Sequence, residues 1–299
     1  MTRDQTLHGV LTALATPFDA EGRIDVPALR QVIDRSIDGG VHGVVAGGST
    51  GEFAALSESE RMRLVDEVTA HVDGRVPVIA QTGAVTTAEA LRHTRAAEEA
   101  GADVLMVVTP YYEPLTEAET VDYLRRVAES TQLPIMLYNI PGATGVTLTP
   151  QIAGRLAEEH EHIRCMKDSS ADWQLGLELI RGLGDRLEIF IGWDVYALSA
   201  LTEGAAGIMA GTANVVPRQL VSVHDAVLAG EHERARREWD RLYPLFESMM
   251  SGSFVAAVKA GLELQGVPVG DPRHPMAPLD EARRRELARL LAALEAPAD

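Results

Sequence analysis

Only two side chains of this 299-residue chain carry a primary amine, Lys167 and Lys259; every other fixed positive charge is an arginine. A guanidinium serves any solvated salt bridge, but it stays charged in a protein and cannot act as an amine nucleophile. Lys167 closes the apolar run Ile163-Arg164-Cys165-Met166 and is followed by the polar turn Asp168-Ser169-Ser170. A lysine at the end of a buried strand is suited to Schiff-base formation with a carbonyl substrate, because shielding from water favours the free amine. A lysine that runs its stem along apolar surface to reach water would give the same local pattern. The elements that position it must therefore decide.

Those elements repeat. Short apolar runs occur at 10–16, 43–46, 76–81, 104–109, 134–139, 163–167, 187–191 and 206–210. Several are continuous rather than alternating, as parallel strands covered on both faces require. Between them, Ser57-Glu58-Ser59-Glu60, Thr86-Thr87-Ala88-Glu89 and Thr116-Glu117-Ala118-Glu119 each fit a capping box that opens a helix. Gly39-Gly40, Gly101, Gly182 and Gly204 stand where a left-handed residue would stop one. Eight such strand–helix units predict an α/β fold, a (β/α)8 TIM barrel over residues 1–230. A doubly wound sheet would carry a Gly-x-Gly-x-x-Gly turn after its first strand, where this chain has Ala15-Thr16-Pro17-Phe18. Residues 231–299 read as a helical extension packed on the barrel, with helices over 231–248, 254–265 and 280–294.

The formal net charge of −17 argues against nucleic acid, whose binders concentrate Lys and Arg. The single cysteine, Cys165, allows no intrachain disulfide and no thiolate cluster, and its apolar surroundings predict an inert buried thiol. Met1 to Gln5 lack an apolar signal region, and no run approaches the ~20 apolar residues of a membrane helix. A cytoplasmic protein with neither membrane nor nucleic-acid partners is expected. The nine histidines show no metal-ligand spacing, so chemistry without metal or other cofactor is expected. His160 and His162 are expected to be solvated on the face away from the site.

In a barrel, the carboxyl ends of the strands and the loops after them build the active site. There stand Gly47-Gly48-Ser49-Thr50-Gly51-Glu52, Thr109-Pro110-Tyr111-Tyr112, Tyr138-Asn139, Lys167, Gly192-Trp193-Asp194 and Gly211-Thr212-Ala213-Asn214. An amine, a phenol, hydroxyls and a glycine-rich turn suit carbonyl chemistry. Lysine attack on a keto group gives an iminium that accepts electrons from a neighbouring bond, and Tyr138 is placed to move the protons. The turn Gly48-Ser49-Thr50-Gly51 can offer amides and hydroxyls to a carboxylate, or serve as a plain tight turn. An isomerase that binds phosphate at 211–214 is the alternative from another enzyme class.

Taken together these motifs closely resemble, from about Gly9 to about Arg241, the dihydrodipicolinate synthase and N-acetylneuraminate lyase superfamily of pyruvate-dependent class I aldolases. The resemblance runs through Ala15-Thr16-Pro17-Phe18, Gly48-Ser49-Thr50-Gly51-Glu52, Val108-Thr109-Pro110-Tyr111-Tyr112, Tyr138-Asn139-Ile140-Pro141 and Lys167-Asp168-Ser169-Ser170. It implies that Lys167 binds the keto carbon of pyruvate and that Tyr138 shuttles protons with its phenol held by Thr50. It implies that Ser49 and Thr50 bind the pyruvyl carboxylate, that the carbonyl of Ile208 lines the site, and that Tyr112 enters from a neighbouring subunit. A homotetramer built as a dimer of dimers is implied with it. Ala143 stands where dihydrodipicolinate synthases carry an arginine for the carboxylate of aspartate semialdehyde. Asp194 falls where sialic-acid lyases contact sugar hydroxyls, but Val195 follows in place of an acidic residue. The reading is a Schiff-base lyase that releases or adds pyruvate, acting on a 2-oxo-3-deoxy sugar acid or hydroxy-oxo acid. The alternative is 4-hydroxy-tetrahydrodipicolinate synthesis from pyruvate and aspartate semialdehyde.

Overall fold

The computed structural model describes residues 6–295. The expectations for residues 1–5 and 296–299 lie outside the described residues. Among those described, the strands β1 (Gly9–Ala13), β2 (Gly43–Ala46), β3 (Val78–Gln81), β4 (Val104–Val108), β5 (Ile135–Asn139), β6 (Ile163–Asp168), β7 (Glu188–Ile191) and β8 (Gly207–Ala210) close in chain order into one barrel. Every neighbouring pair is parallel, with β8 pairing back to β1. The fold is a (β/α)8 barrel.

Helices α1 (Val26–Asp38), α2 (Glu58–Val72), α3 (Thr87–Glu99) and α4 (Glu117–Glu129) follow the first four strands. A single turn α5 (Pro141–Thr144) precedes α6 (Pro150–Glu159), and α7 (Trp173–Leu183), α8 (Ala197–Thr202) and α9 (Pro217–Leu228) complete the ring. Beyond it lie α10 (His232–Met250), α11 (Phe254–Leu264) and α12 (Glu281–Glu295). α10 packs on α9 and α12, and α11 on the turn Thr212–Asn214 at the carboxyl end of β8. None of the described helices is long and apolar enough to cross a membrane.

Strand alternation sorts the core into two layers. Leu11, Val45, Ile79, Met106, Met136, Tyr138, Cys165, Phe190 and Met209 fill the barrel interior. Val10, Val44, Ala80, Leu105, Leu137, Met166, Ile189 and Ile208 point outward into the helical shell. Both faces are dry, which is why the strands read as continuous apolar runs. Period two also explains the site's placement: Lys167 lies two residues beyond Cys165, and Tyr138 two beyond Met136, so both side chains point inward.

Most local signals act as read. Ser57 and Thr116 form reciprocal capping boxes with Glu60 and Glu119. Thr86 accepts from Glu89 N, but the Glu89 carboxylate turns instead to Arg61 (3.8 Å) and His93 (3.5 Å). Gly40, Gly101 and Gly204 are left-handed. Gly182 instead lies inside α7, which ends at Leu183 with Gly184 in a right-handed cap; its expected role as a helix stop is corrected. The ring of His162 donates to Ala128 O at 2.9 Å and is half-buried, as is His160. The expectation that both are solvated is corrected too.

The C-terminal arm is fastened to the barrel mouth. Phe18 N donates to Val269 O (3.0 Å), and a Cβ at Gly270 (φ +66) would lie 2.2 Å from Phe18 O. Arg273 pairs with Glu60, donates to Ala55 O (2.9 Å) and Gly22 O (2.6 Å), and covers the Phe18 ring. The Arg273 guanidinium, aided by the Ser57 cap, lowers the Glu60 pKa from 4.5 to about 2. A depressed folded-state value gives stability that is present above pH 4.5 and lost as pH falls toward 2. Glu60→Gln is therefore expected to cost about 2 kcal/mol at neutral pH, and the difference from wild type should vanish on acidification. Urea unfolding across a pH series checks this; a pH-independent difference would remove the pair from the acid limb.

Candidate active site

β5 and β6 lie side by side in register, Tyr138 opposite Lys167 and Asn139 opposite Asp168. The lysine Nζ sits 4.3 Å from the centre of the Tyr138 ring, and both side chains are buried. The room for that lysine comes from the residue that follows β7. A Cβ at Gly192 would lie 2.4 Å from Lys167 Cε and 2.3 Å from Ser169 Oγ, so only glycine admits the side chain. Two polar residues that the sequence reading passed over hold the pair in place. Asn139 Nδ2 donates to Asp168 Oδ1 (2.7 Å), Asn139 Oδ1 accepts from Leu148 N (2.9 Å), and Ser170 Oγ donates to Asp168 Oδ2 (2.9 Å). Burial raises the Asp168 carboxyl against these bonds. Their signal was their position one residue beyond the chemistry on adjacent strands.

The Tyr138 hydroxyl is hydrogen-bonded to Ser49 Oγ at 3.1 Å. This corrects the expectation that Thr50 holds the phenol: Thr50 is buried toward Gly211, whose Cβ would lie 2.9 Å from Thr50 Oγ1. In the turn itself, Glu52 N donates to Ser49 O (3.0 Å) and Phe53 N to Gly48 O (3.4 Å). The amides of Ser49 and Thr50 make no hydrogen bond to another described residue, the arrangement of an anion nest. Ile208 lies inside β8 with its side chain in the outer layer, so only its main chain can serve the site.

Asp194 is fully buried and accepts from Thr212 N at 2.8 Å. It caps the loop after β8 rather than presenting oxygens to a sugar, which corrects its expected substrate-binding role. Burial raises its pKa, while the Thr212 bonds and the charge of Lys167 oppose the rise. Asn214 spends its side chain on the main chain: Nδ2 donates to Ala13 O (2.7 Å) and Gly211 O (2.8 Å), and Oδ1 accepts from Ala15 N (3.0 Å). The 211–214 loop thus closes β8 onto β1. Of the donors that a phosphate loop would use there, Thr212 N and Asn214 Nδ2 are already engaged.

The second lysine proves buried as well. Lys259 Nζ pairs with Glu52 Oε1 at 2.8 Å, donates to Asp271 O at 3.0 Å and lies 4.1 Å from the Phe18 ring centre. Burial lowers its pKa and the Glu52 carboxylate opposes the fall. Glu52, left-handed at φ 59, also accepts from Arg273 N (2.8 Å). Lys259 and Arg273 thereby anchor the Ser49-Thr50 turn to the C-terminal arm. Cys165 is buried, and desolvation beside Glu188 lifts its thiol pKa well above the usual value, leaving it unreactive.

Above Ser49 opens a cavity of about 490 Å³ whose walls include Phe53, Val108, Tyr111, Ile140, Ala143 and Met276. Tyr111 stands edge-on to Phe53, with centroids 5.4 Å apart. Tyr112 points away and is 80% exposed, outside the site of its own chain. At the opposite end of the barrel, donor atoms of His42, His224 and Asp225 lie within 4.8 Å of one another, a grouping that sequence spacing did not reveal. His42 Nδ1 accepts from Val10 N (3.1 Å) and His224 Nδ1 donates to Asp225 Oδ1 (2.9 Å). The neutral His42 ring therefore carries its proton on Nε2, which withholds that lone pair.

A closed (β/α)8 barrel with a buried lysine–tyrosine pair and a turn of unengaged amides at its carboxyl mouth defines the class, a TIM-barrel scaffold with its candidate site at the strand ends. The chain matches the model of the dihydrodipicolinate synthetase family over residues 6–294, and it belongs to that family. A 4-hydroxy-tetrahydrodipicolinate synthase of Methanopyrus kandleri is 38% identical over 95% of this chain and 96% of its own. The solved structure of YagE, a prophage protein of E. coli K12 in complex with pyruvate, superimposes with a TM-score of 0.93 at 32% identity, covering 97% of this chain and 99% of that one. CdNal of Clostridium difficile, solved with mannosamine, gives 0.89 at 29% identity, covering 95% and 99%.

Proposed function

We propose that the protein is a pyruvate-dependent lyase that works through a Schiff base on Lys167. The observation that carries this reading is the buried Lys167–Tyr138 pair, with the tyrosine hydroxyl bonded to Ser49 below a turn whose amides are free. The Lys167 amine adds to the C2 keto carbon of a 2-oxo acid while the Ser49 and Thr50 amides hold the neighbouring carboxylate. Tyr138 gives its proton to the keto oxygen, water leaves, and a protonated Schiff base remains. That cation accepts the electron pair of the C3–C4 bond as it breaks, and the C4 hydroxyl proton passes to the Tyr138 oxygen. An aldehyde departs. Protonation of the enamine at C3 and hydrolysis then release pyruvate and restore the lysine.

Tyr112 completes the proton path in this reading, delivered by a second copy within a homotetramer of paired dimers. Its exposure on the same loop as the half-buried Tyr111 supports that role. The pyruvate complex of YagE supports the keto-acid half. A second reading, condensation of pyruvate with aspartate semialdehyde, is favoured by the names of relatives such as the Methanopyrus enzyme. Against it stands Ala143, which supplies no charge-assisted bond to the semialdehyde carboxylate. Intact-mass spectrometry after incubation with pyruvate and borohydride tests the shared step. A reduced pyruvate adduct is expected, and its absence under conditions that trap a known class I aldolase would overturn both readings.

A further inference from the structure

We propose that the cavity above Ser49 is a subsite for an uncharged, largely apolar group, so that the aldehyde half of the substrate is an alkyl or aryl aldehyde. The proposal rests on the Schiff-base reading of Lys167 and names what that site joins to or releases from pyruvate. Ser49 belongs both to the hydrogen bond with Tyr138 and to the cavity wall, which places the subsite directly beyond the reacting carbon. Its volume of about 490 Å³ accommodates a benzene ring.

Glu52 and Thr144 of the wall are engaged elsewhere, and Ser49 is bonded to Tyr138; the Tyr111 phenol and the exposed His274 imidazole are the remaining polar groups. Both Glu52 oxygens face Lys259 Nζ and Arg273 N. The Thr144 hydroxyl serves the main chain at Ile140 and Val146. Burial raises the Tyr111 phenol, which stays neutral. No lysine or arginine belongs to the wall. The neighbouring cations are committed: Arg61 lies against the Phe53 ring and donates to Gln81 O (3.2 Å) and Gly83 O (2.9 Å), and Arg273 is held by Glu60, Ala55 O and Gly22 O. Asp194, the residue expected to meet sugar hydroxyls, is turned to Thr212 N.

An aspartate semialdehyde carboxylate placed against Phe53, Ile140 and Ala143 would meet no lysine or arginine, and a polyhydroxy aldehyde would find few partners for its hydroxyls. An apolar aldehyde loses nothing and gains the Phe53, Ile140, Ala143 and Met276 surfaces. In the joining direction the enamine carbon of bound pyruvate bonds to the aldehyde carbon, the aldehyde oxygen takes a proton, and hydrolysis of the Schiff base frees a 4-hydroxy-2-oxo acid.

The test is kcat/KM for the wild-type enzyme with pyruvate and each of benzaldehyde, glyceraldehyde and aspartate semialdehyde, run beside the borohydride trap. Benzaldehyde is expected to be preferred over both others by at least about 10²-fold. Ala143→Arg is expected to shift the benzaldehyde-to-semialdehyde ratio at least tenfold toward the semialdehyde, by supplying the missing cation. A wild-type enzyme that forms the pyruvate adduct yet prefers the semialdehyde or glyceraldehyde overturns the apolar subsite and leaves the Schiff base standing. Failure to form any adduct overturns both.

Discussion

Lys167→Ala is expected to abolish the trapped pyruvate adduct and to lower turnover by roughly 10⁴-fold or more, the scale of loss when a covalent nucleophile is removed. The informative control is the other lysine, Lys259, which is also buried and also lies against an aromatic ring. Lys259 differs in being held by Glu52 and Asp271 O, so its amine is committed to structure. Lys259→Met should still form the adduct. Its cost falls on stability instead, on the order of 3–5 kcal/mol, because Glu52 is left as a buried charge without its partner. The double variant Glu52→Gln/Lys259→Met should recover part of that loss by removing the orphaned charge. Mass spectrometry and urea unfolding on the same preparations separate the two roles. An adduct that survived Lys167→Ala and vanished with Lys259→Met would exchange the assignments.

Tyr138→Phe should retain imine formation to some degree, more slowly, and lose about 10²- to 10⁴-fold in turnover, the usual share of a positioned acid–base group. The ring stays, so the packing of Lys167 against it is preserved, and only the proton donor is removed. Ser49→Ala acts one bond further out. It takes away the 3.1 Å hydrogen bond that orients the phenol, and a loss near tenfold is expected from a hydrogen bond of about 1.4 kcal/mol. Thr50→Val should affect Tyr138 less, because Thr50 Oγ1 lies toward Gly211 rather than the phenol. Near wild-type turnover in Tyr138→Phe would remove the tyrosine from the proton path. A Thr50 variant with the larger effect would restore the arrangement first read from the motif.

The architecture was legible in the residues because two short periods govern it. Continuous apolar runs marked all eight strands to within a few residues, and Ser57 and Thr116 marked helix starts through bonds made with residues only three positions away. The same period of two, counted from Cys165 and Met136, turns Lys167 and Tyr138 into the barrel. The choice of Lys167 over Lys259 also rested on local sequence, since one ends a strand-like run and the other sits in a helix. These are properties that a chain carries within a few residues of itself.

What lies between distant residues was decided only by the folded chain. Ser49 and Tyr138 are 89 positions apart, and which hydroxyl of Ser49-Thr50 reaches the phenol depends on the twist of a turn, which a motif does not record. Asp194 stands where sialic-acid lyases contact sugar hydroxyls, and only the folded chain brings Thr212 N to it at 2.8 Å. The Glu52 anchor needs Lys259 and Arg273, more than 200 residues along the chain. The apolar wall gathers Phe53, Ile140, Ala143 and Met276 from three separate segments. Spacing along a sequence specifies which residues share a strand or a helix; which buried polar atoms are already paired, and so which remain for a substrate, is a property of three-dimensional packing alone.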